Sequence, residues 1–427
     1  MKIFYYSLCL LMIGSSPALA EINHDHMNND HMNHEDMNHE AEMSGTLGKY
    51  PMNREASGTS WQPESTPMDG LHWKAGDWSI MTHGNINLIY NDQGGPRGDN
   101  KTYSTSHMMI QGARELDSGT LNLKGTFSLD PLMGKSGYPL LFQTGETADG
   151  KTPIIDKQHP HNLFVELAAS YSMPVNDKNA LFLYAGIVGE PAIGPTVYSH
   201  RFSGENNPEA PISHHWLDST HVSNGVMTLG YTTPYWKLEG SSFHGKEPDQ
   251  YRYRIELGSL DSYSGRFTLN PNKDISMQIS AGHLHSPETL EPTINVNKIT
   301  TSITFNKTIY EGLSQTTLAF GRNSPSEGKS TNAYLLESSW EWTNNNTLFF
   351  RAEKVDKNEL FLESHHLNHE NFNIKKLSIG AVHDFETNSN YKLGVGVTGS
   401  LFSYPNELDH DYGSNPKSFL FFVRAKL

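Results

Sequence analysis

From Asp77 to the carboxyl terminus, apolar and polar residues alternate with a period of two, in stretches of about ten residues broken by Gly, Asn, Asp and Pro. Leu121, Leu123, Phe127 and Leu129 alternate with Asn122, Lys124, Thr126 and Ser128. Ile275, Met277 and Ile279 alternate with Ser276, Gln278 and Ser280, and Leu348, Phe350 and Ala352 oppose Arg351 and Glu353. Roughly sixteen such stretches can be counted and helical periodicity is almost absent, so the chain reads as all-β with consecutive antiparallel strands. Asp117-Ser118-Gly119 and Asn270-Pro271-Asn272-Lys273 suit tight turns, whereas Gly145 to His159 and Ser203 to Asp218 read as longer polar loops.

Alternation fits two architectures. A soluble sandwich or propeller turns its apolar side inward; a membrane barrel turns it outward and keeps polar side chains within. The strand lengths suit a tilted bilayer crossing, and short turns alternate with long loops. The polar parity carries charges that read as mid-strand (Glu166, Glu239, Arg254, Glu256, Glu337, Arg351, Glu353), which a wet lumen accommodates and a dry core does not. The chain ends on Phe419, Phe421, Val423, Ala425 and Leu427 alternating with Arg424 and Lys426, like the closing strand of a bacterial outer-membrane barrel. The expected fold is a transmembrane antiparallel up-and-down β-barrel of about 16 strands over residues 73–427, its outer face against outer-membrane lipid.

Two segments precede it. Residues 1–20 have Lys2, an apolar run from Ile3 to Ile13, and the ending Ala18-Leu19-Ala20, the pattern of a secretory signal. The single cysteine, Cys9, lies within that run, so the mature chain has no thiol for disulfides, zinc-cysteine sites or nucleophilic catalysis. Residues 21–72 read as an acidic disordered arm, with ten acidic and two basic residues between Glu21 and Asp69. From Gly70 onward the acidic excess is spread evenly, and without a basic patch nucleic acid is not an expected partner.

Three near-copies of a five-residue unit occupy the arm: His26-Met27-Asn28-Asn29-Asp30, His31-Met32-Asn33-His34-Glu35 and Asp36-Met37-Asn38-His39-Glu40. With His24 and Met43 at the edges, twenty residues hold five histidines, four methionines and six carboxylates. A period of five gives no apolar face to a helix or a strand, but it offers imidazole and thioether groups to a soft or borderline metal ion. The candidate ligands are His24, His26, Met27, His31, Met32, His34, Met37, His39 and Met43, and copper, or silver, is the expected ion. The alternative is an acidic spacer.

Within the barrel region, His159 and His161 flank Pro160, and His214, His215, Asp218 and His221 follow in a second block. Together they could complete a metal site at one rim; singly, each reads rather as a loop residue that bonds neighbouring loops and packs over the mouth. His283 and His285 read as rim or loop positions, and His365, His366 and His369 as a polar loop. There is no Gly-x-Ser-x-Gly elbow, His-Glu-x-x-His pair or phosphate-cradling glycine loop, so the chain is not expected to be an enzyme.

The strings DKQHPHNLFVELAASYS (156–172), FHGKEPD (243–249) and LGSLDSYS (257–264) resemble those of a family of exported, largely uncharacterised bacterial proteins encoded beside copper-resistance and copper-efflux genes. A His/Met leader ahead of a barrel is also similar in layout to the copper-resistance protein B family. The resemblance implies metal handling in the envelope, with periplasmic copper-handling proteins as partners. The expectation is thus an outer-membrane barrel in copper resistance, its arm binding metal in the periplasm. The alternatives are a general porin with an incidental leader and a soluble periplasmic metalloenzyme.

Overall fold

The computed structural model describes residues 44–387 and 390–427. The expected signal sequence and all nine candidate ligands of the leader, His24 to Met43, therefore lie outside the described residues.

The strands are β1 (Leu71–Ala75), β2 (Trp78–Gln93), β3 (Asn100–Leu116), β4 (Gly119–Phe127), β5 (Tyr138–Thr147), β6 (Pro153–Gln158), β7 (Phe164–Pro174), β8 (Ala180–Gly189), β9 (Ser223–Thr232) and β10 (Trp236–Phe243). They continue as β11 (Ser262–Asn272), β12 (Ile275–Leu284), β13 (Val296–Ile309), β14 (Gly312–Pro325), β15 (Thr331–Thr343), β16 (Asn346–Lys357), β17 (Phe372–Phe385), β18 (Lys392–Ser403) and β19 (Lys417–Lys426). Sixteen of them, β2 to β4 and β7 to β19, pair with their neighbours in antiparallel register, and β19 closes the ring on β2. The expected barrel and strand number are both observed. β1 and β19 share one edge of β2: β1 pairs with Trp78 to Thr82, and β19 takes over from Asn85 to Gln93.

The two parities face as a bilayer demands. Leu88, Leu123, Leu229 and Phe419 are 57%, 46%, 62% and 50% exposed on the outer wall, whereas Lys237, Glu239, Glu337 and Arg351 are buried in the lumen. A barrel with no free edge satisfies every ladder hydrogen bond in lipid, which an open sheet cannot. Arg254 and Glu256 depart from the expectation, since they lie in the loop that joins β10 to β11.

One end of the barrel carries short turns, such as Asp117-Ser118 and Asn344-Asn345; the other carries the long connections. Three segments fold back and fill the lumen: 44–70, 128–163 with the β5–β6 hairpin, and 190–222. The first corrects the sequence reading, which placed residues up to 72 in the disordered arm. Leu47, Tyr50 and Trp61 are buried, Lys237 donates to the Thr59 carbonyl, and Arg266 donates to Thr59 Oγ1 at 3.0 Å. Gln315 reaches Thr66 Oγ1 at 3.0 Å from the far wall. Complementary hydrogen bonds and a few scattered apolar anchors, not an apolar stripe, hold this segment, so no periodicity betrayed it. Ser44 lies beside Asp117 and Gly119, at the short-turn end.

Candidate functional site

Segments 128–163 and 190–222 bring the barrel histidines of the sequence reading together. The His161 and His221 rings stand 5.2 Å apart, His214 is 5.2 Å from His221 and 5.6 Å from His215, and His215 stacks on His159 at 5.7 Å. They lie within the lumen, beneath the long connections, and not at the expected rim. Loops whose backbone polar groups find partners on a polar inner wall can be drawn inward, which they cannot in a dry core. Gly145, at φ +111°, lets segment 128–163 pass here, since a Cβ would lie 2.2 Å from the His215 ring.

Each of three rings is oriented from behind. His161 Nδ1 donates to Asp130 Oδ2 at 2.9 Å, His214 Nδ1 to Asp218 Oδ1 at 2.7 Å, and His221 Nδ1 to the Asp218 carbonyl at 2.8 Å. This leaves Nε2 of each as the lone-pair nitrogen, the arrangement in which imidazoles serve as metal ligands. His215 Nε2 and His221 Nε2 are buried and find no hydrogen-bond partner among the described residues. Burial depresses His159, His215 and His221 well below the ordinary histidine range, and it depresses His214 despite the opposing Asp218. These rings are therefore neutral at pH 7. Burial alone would raise the Asp218 carboxyl, but Arg201 and the His214 N–H outweigh it and hold the group well below the usual carboxylate range.

A cavity of about 40 Å³ opens beside them, with His107, His159, His161, His221, Asp130 and Tyr198 in its wall. His107 belongs to a second group that the sequence reading missed. Its ring, from β3, stands 4.1 Å from His200, and His83 of β2 stands 5.3 Å from His200. His83 and His107 fall on the lumen parity of their strands, a signal that alternation could have supplied. Among the described residues, no three His, Cys, Asp or Glu side chains form a ready-made metal site. His283 bonds Asn297 Oδ1 at 2.9 Å and His285 is exposed, both remote from the lumen cluster.

The rest of the lumen is held by paired charges. Arg201 bridges Asp218 at 2.8 Å and Glu337 at 2.7 Å; Glu337 also takes Arg351 at 3.0 Å. Lower down, Arg266 pairs with Glu239 at 3.0 Å and Lys237 with Glu239 at 3.3 Å. A concavity of about 1040 Å³ runs along the wall, lined on its lipid side by Phe267, Ile279, Leu318 and Tyr334, and no histidine borders it.

The fold resembles that of outer-membrane porins. The structure of Salmonella typhi OmpF in complex with daunomycin superimposes with a TM-score of 0.53 at 8% identity, covering 84% of this chain and 100% of that one. An anion-selective porin from Comamonas acidovorans gives 0.49 at 12% identity, covering 82% and 100%. The outer-membrane channel DcaP of Acinetobacter baumannii gives 0.43 at 10%, covering 84% and 100%. No protein-family model matches the sequence, and neither does the sequence of any curated protein.

Proposed function

We propose that this chain is an outer-membrane barrel of the channel type that takes part in copper or silver resistance. Short turns face the periplasm in outer-membrane barrels, so Ser44, the residue that follows the His/Met tract in sequence, stands at the periplasmic end in this reading. The tract collects the ion, and the lumen imidazoles hold it or pass it outward. The observation that carries this reading is the convergence of histidines, three of them tethered through Nδ1, around one buried region of the lumen. Copper suits mixed imidazole and thioether donors. Outer-membrane lipid and periplasmic copper-handling proteins are its partners in this scheme; no nucleophile or catalytic acid–base pair enters it.

The porin-like fold favours a second reading, a general solute channel. Two measurements separate them. Deleting residues 23–43 from the full chain should lower copper tolerance and metal bound per chain, while the heat-modifiable gel shift of a folded barrel persists. Planar-bilayer recordings in potassium chloride should show no porin-sized conductance, because segments 44–70, 128–163 and 190–222 occupy the lumen. Large ohmic steps together with unchanged copper tolerance would establish the solute channel.

A further inference from the structure

Below the histidine cluster, four methionines meet from three parts of the chain. Met52 and Met68 come from the segment that enters at the short-turn end, Met81 from β2 and Met109 from β3; Met52, Met81 and Met109 pack as one buried cluster, and the half-buried Met68 packs against it. The setting is unusual for methionine. On β2 and β3 the lumen-facing neighbours of these methionines are polar or histidine (His83, Asn85 and Asn87; His107 and Gln111), with Ile89 and Tyr103 farther along, whereas Met173, Met227 and Met277 lie on the outer wall. Methionine in a core ordinarily fills a gap. Here a gap remains: a cavity of about 80 Å³ borders all four, and His83 and His200 also line it. Glu55, Asp69, Glu205 and Lys426 complete its charged lining, three carboxylates against one ammonium.

The register fixes how these groups stand. His83 is directly across the ladder from Met109, Met81 from Gln111, and Asn85 from His107. Going up β2, thioethers come first, then the His83–His200–His107 group, then the cavity of His161 and His221 with Asn87 in its wall. From Met81 to Asn87 is about 20 Å at the rise of a β-strand. Thioether sulfur is a neutral, soft donor that does not titrate, and it binds cuprous and silver ions while offering little to zinc, magnesium or calcium. Imidazoles from three directions add borderline donors at ring separations of 4.1, 5.3 and 6.4 Å.

We propose that Met52, Met68, Met81 and Met109, with His83 and His200 beside them, form a binding site for a monovalent soft ion, Cu(I) or Ag(I), inside the lower lumen. The site stands between the periplasmic leader and the upper histidines, and it rests on the metal-handling reading for the source of its ion. Binding is a ligand exchange with no change of oxidation state. A carboxylate-rich, partly thioether lining attracts the cation, and the histidines above give it somewhere to go.

The test uses the full chain in detergent, titrated with silver nitrate, with bound silver counted after desalting against a competing chelator. Two leucine sets are compared with the native protein: M52L/M68L/M81L/M109L and, in the leader, M27L/M32L/M37L/M43L. Leucine nearly conserves volume, so folding is expected to survive, and the heat-modifiable shift checks it. The inner set should lose one tightly held ion per chain, and the leader set should keep that ion. An inner set that binds silver as the native chain does would overturn the site and leave the leader reading intact. A leader set with no loss would remove the leader from the scheme and leave the inner site standing. Should the inner set fail to fold, X-ray absorption on the silver-loaded leader set decides: sulfur scatterers around the ion support the site, and a shell of nitrogen and oxygen alone refutes it.

Discussion

Two sides of one lumen follow opposite rules. Along β15 and β16, and again on β10 and β11, the inner wall carries full charges in ion pairs: Glu337 with Arg201 and Arg351, Glu239 with Arg266 and Lys237. Against β2 and β3 the wall is neutral and soft, with His83, His107, Met81 and Met109, and several imidazole nitrogens there and in the segments above are left without partners. Buried charges tolerate no vacancy, so the charged side is a lock that holds the segment 190–222 in place. Unpartnered lone pairs on neutral rings cost less and stay available to a cation. The charged side is thus the scaffold of the lumen and the soft side its site.

The strongest blow to that division is Glu337→Gln. It leaves Arg201 and Arg351 buried with one counter-charge fewer, a loss of about 3–5 kcal/mol, and the result should appear as protease cleavage within 190–222 and a lower unfolding temperature in detergent. Resistance equal to the native protein would mean that the charged side is not the lock. Asp218→Asn sits on the boundary, since Asp218 serves both Arg201 and His214. Stability should fall by about 1–3 kcal/mol, and copper affinity should fall by about 10–100-fold because the His214 ring loses its orienting acceptor. A stability loss with unchanged metal binding would assign Asp218 to the scaffold alone.

Acid should act on the soft side selectively. His200, His214, His215 and His221 are all depressed by burial, so when segment 190–222 opens they take up protons near pH 6.5 that the closed form refuses. Their contribution is complete above about pH 6.5 and is lost as pH falls from there toward the closed-form values. Glu190 on the same segment, raised to about 7 by burial, works the other way, gaining stability as pH falls from about 7 toward 4.5, but it is one group against four. Hydrogen exchange in the metal-free protein should thus show 190–222 opening more readily at pH 5 than at pH 7; slower exchange at pH 5 would contradict the neutral-ring assignment. The smallest effect belongs to the exposed loop: His366→Gln should shift stability by under about 0.5 kcal/mol and leave bound metal unchanged.

The barrel was legible because lipid and lumen impose period two on every strand, down to Asn122, Lys124 and Thr126 inside and Leu123 outside. The histidine blocks were legible as chemistry but not as position. Pro160 and Asp218 say nothing of whether a loop rises above a barrel or sinks into it. What decides this is a set of partners distant in sequence, such as Glu353, which receives Ser213 N at 2.9 Å and Ser213 Oγ at 2.7 Å. The folded part of the arm escaped notice for the same reason, since Thr59 and Thr66 are unremarked threonines until Arg266 and Gln315 are brought to them. The methionine site was hidden by dispersal over Met52, Met68, Met81 and Met109, with no repeat to flag it.

The sharing of one β2 edge by β1 and β19 also governs the order of assembly. Thr66 finds Gln315 across 249 residues of sequence, and contacts of such span form slowly because long loops must close before anything rewards them. Asp69, just before β1, is held at 2.8 Å by Lys426, in the last strand to be made. Docking of the first folded segment and sealing of the seam are therefore a single late event. A nascent barrel arrested before β19 would lack the wall that Lys426 supplies, and the soft-ion chamber is completed only when segment 44–70 meets β19.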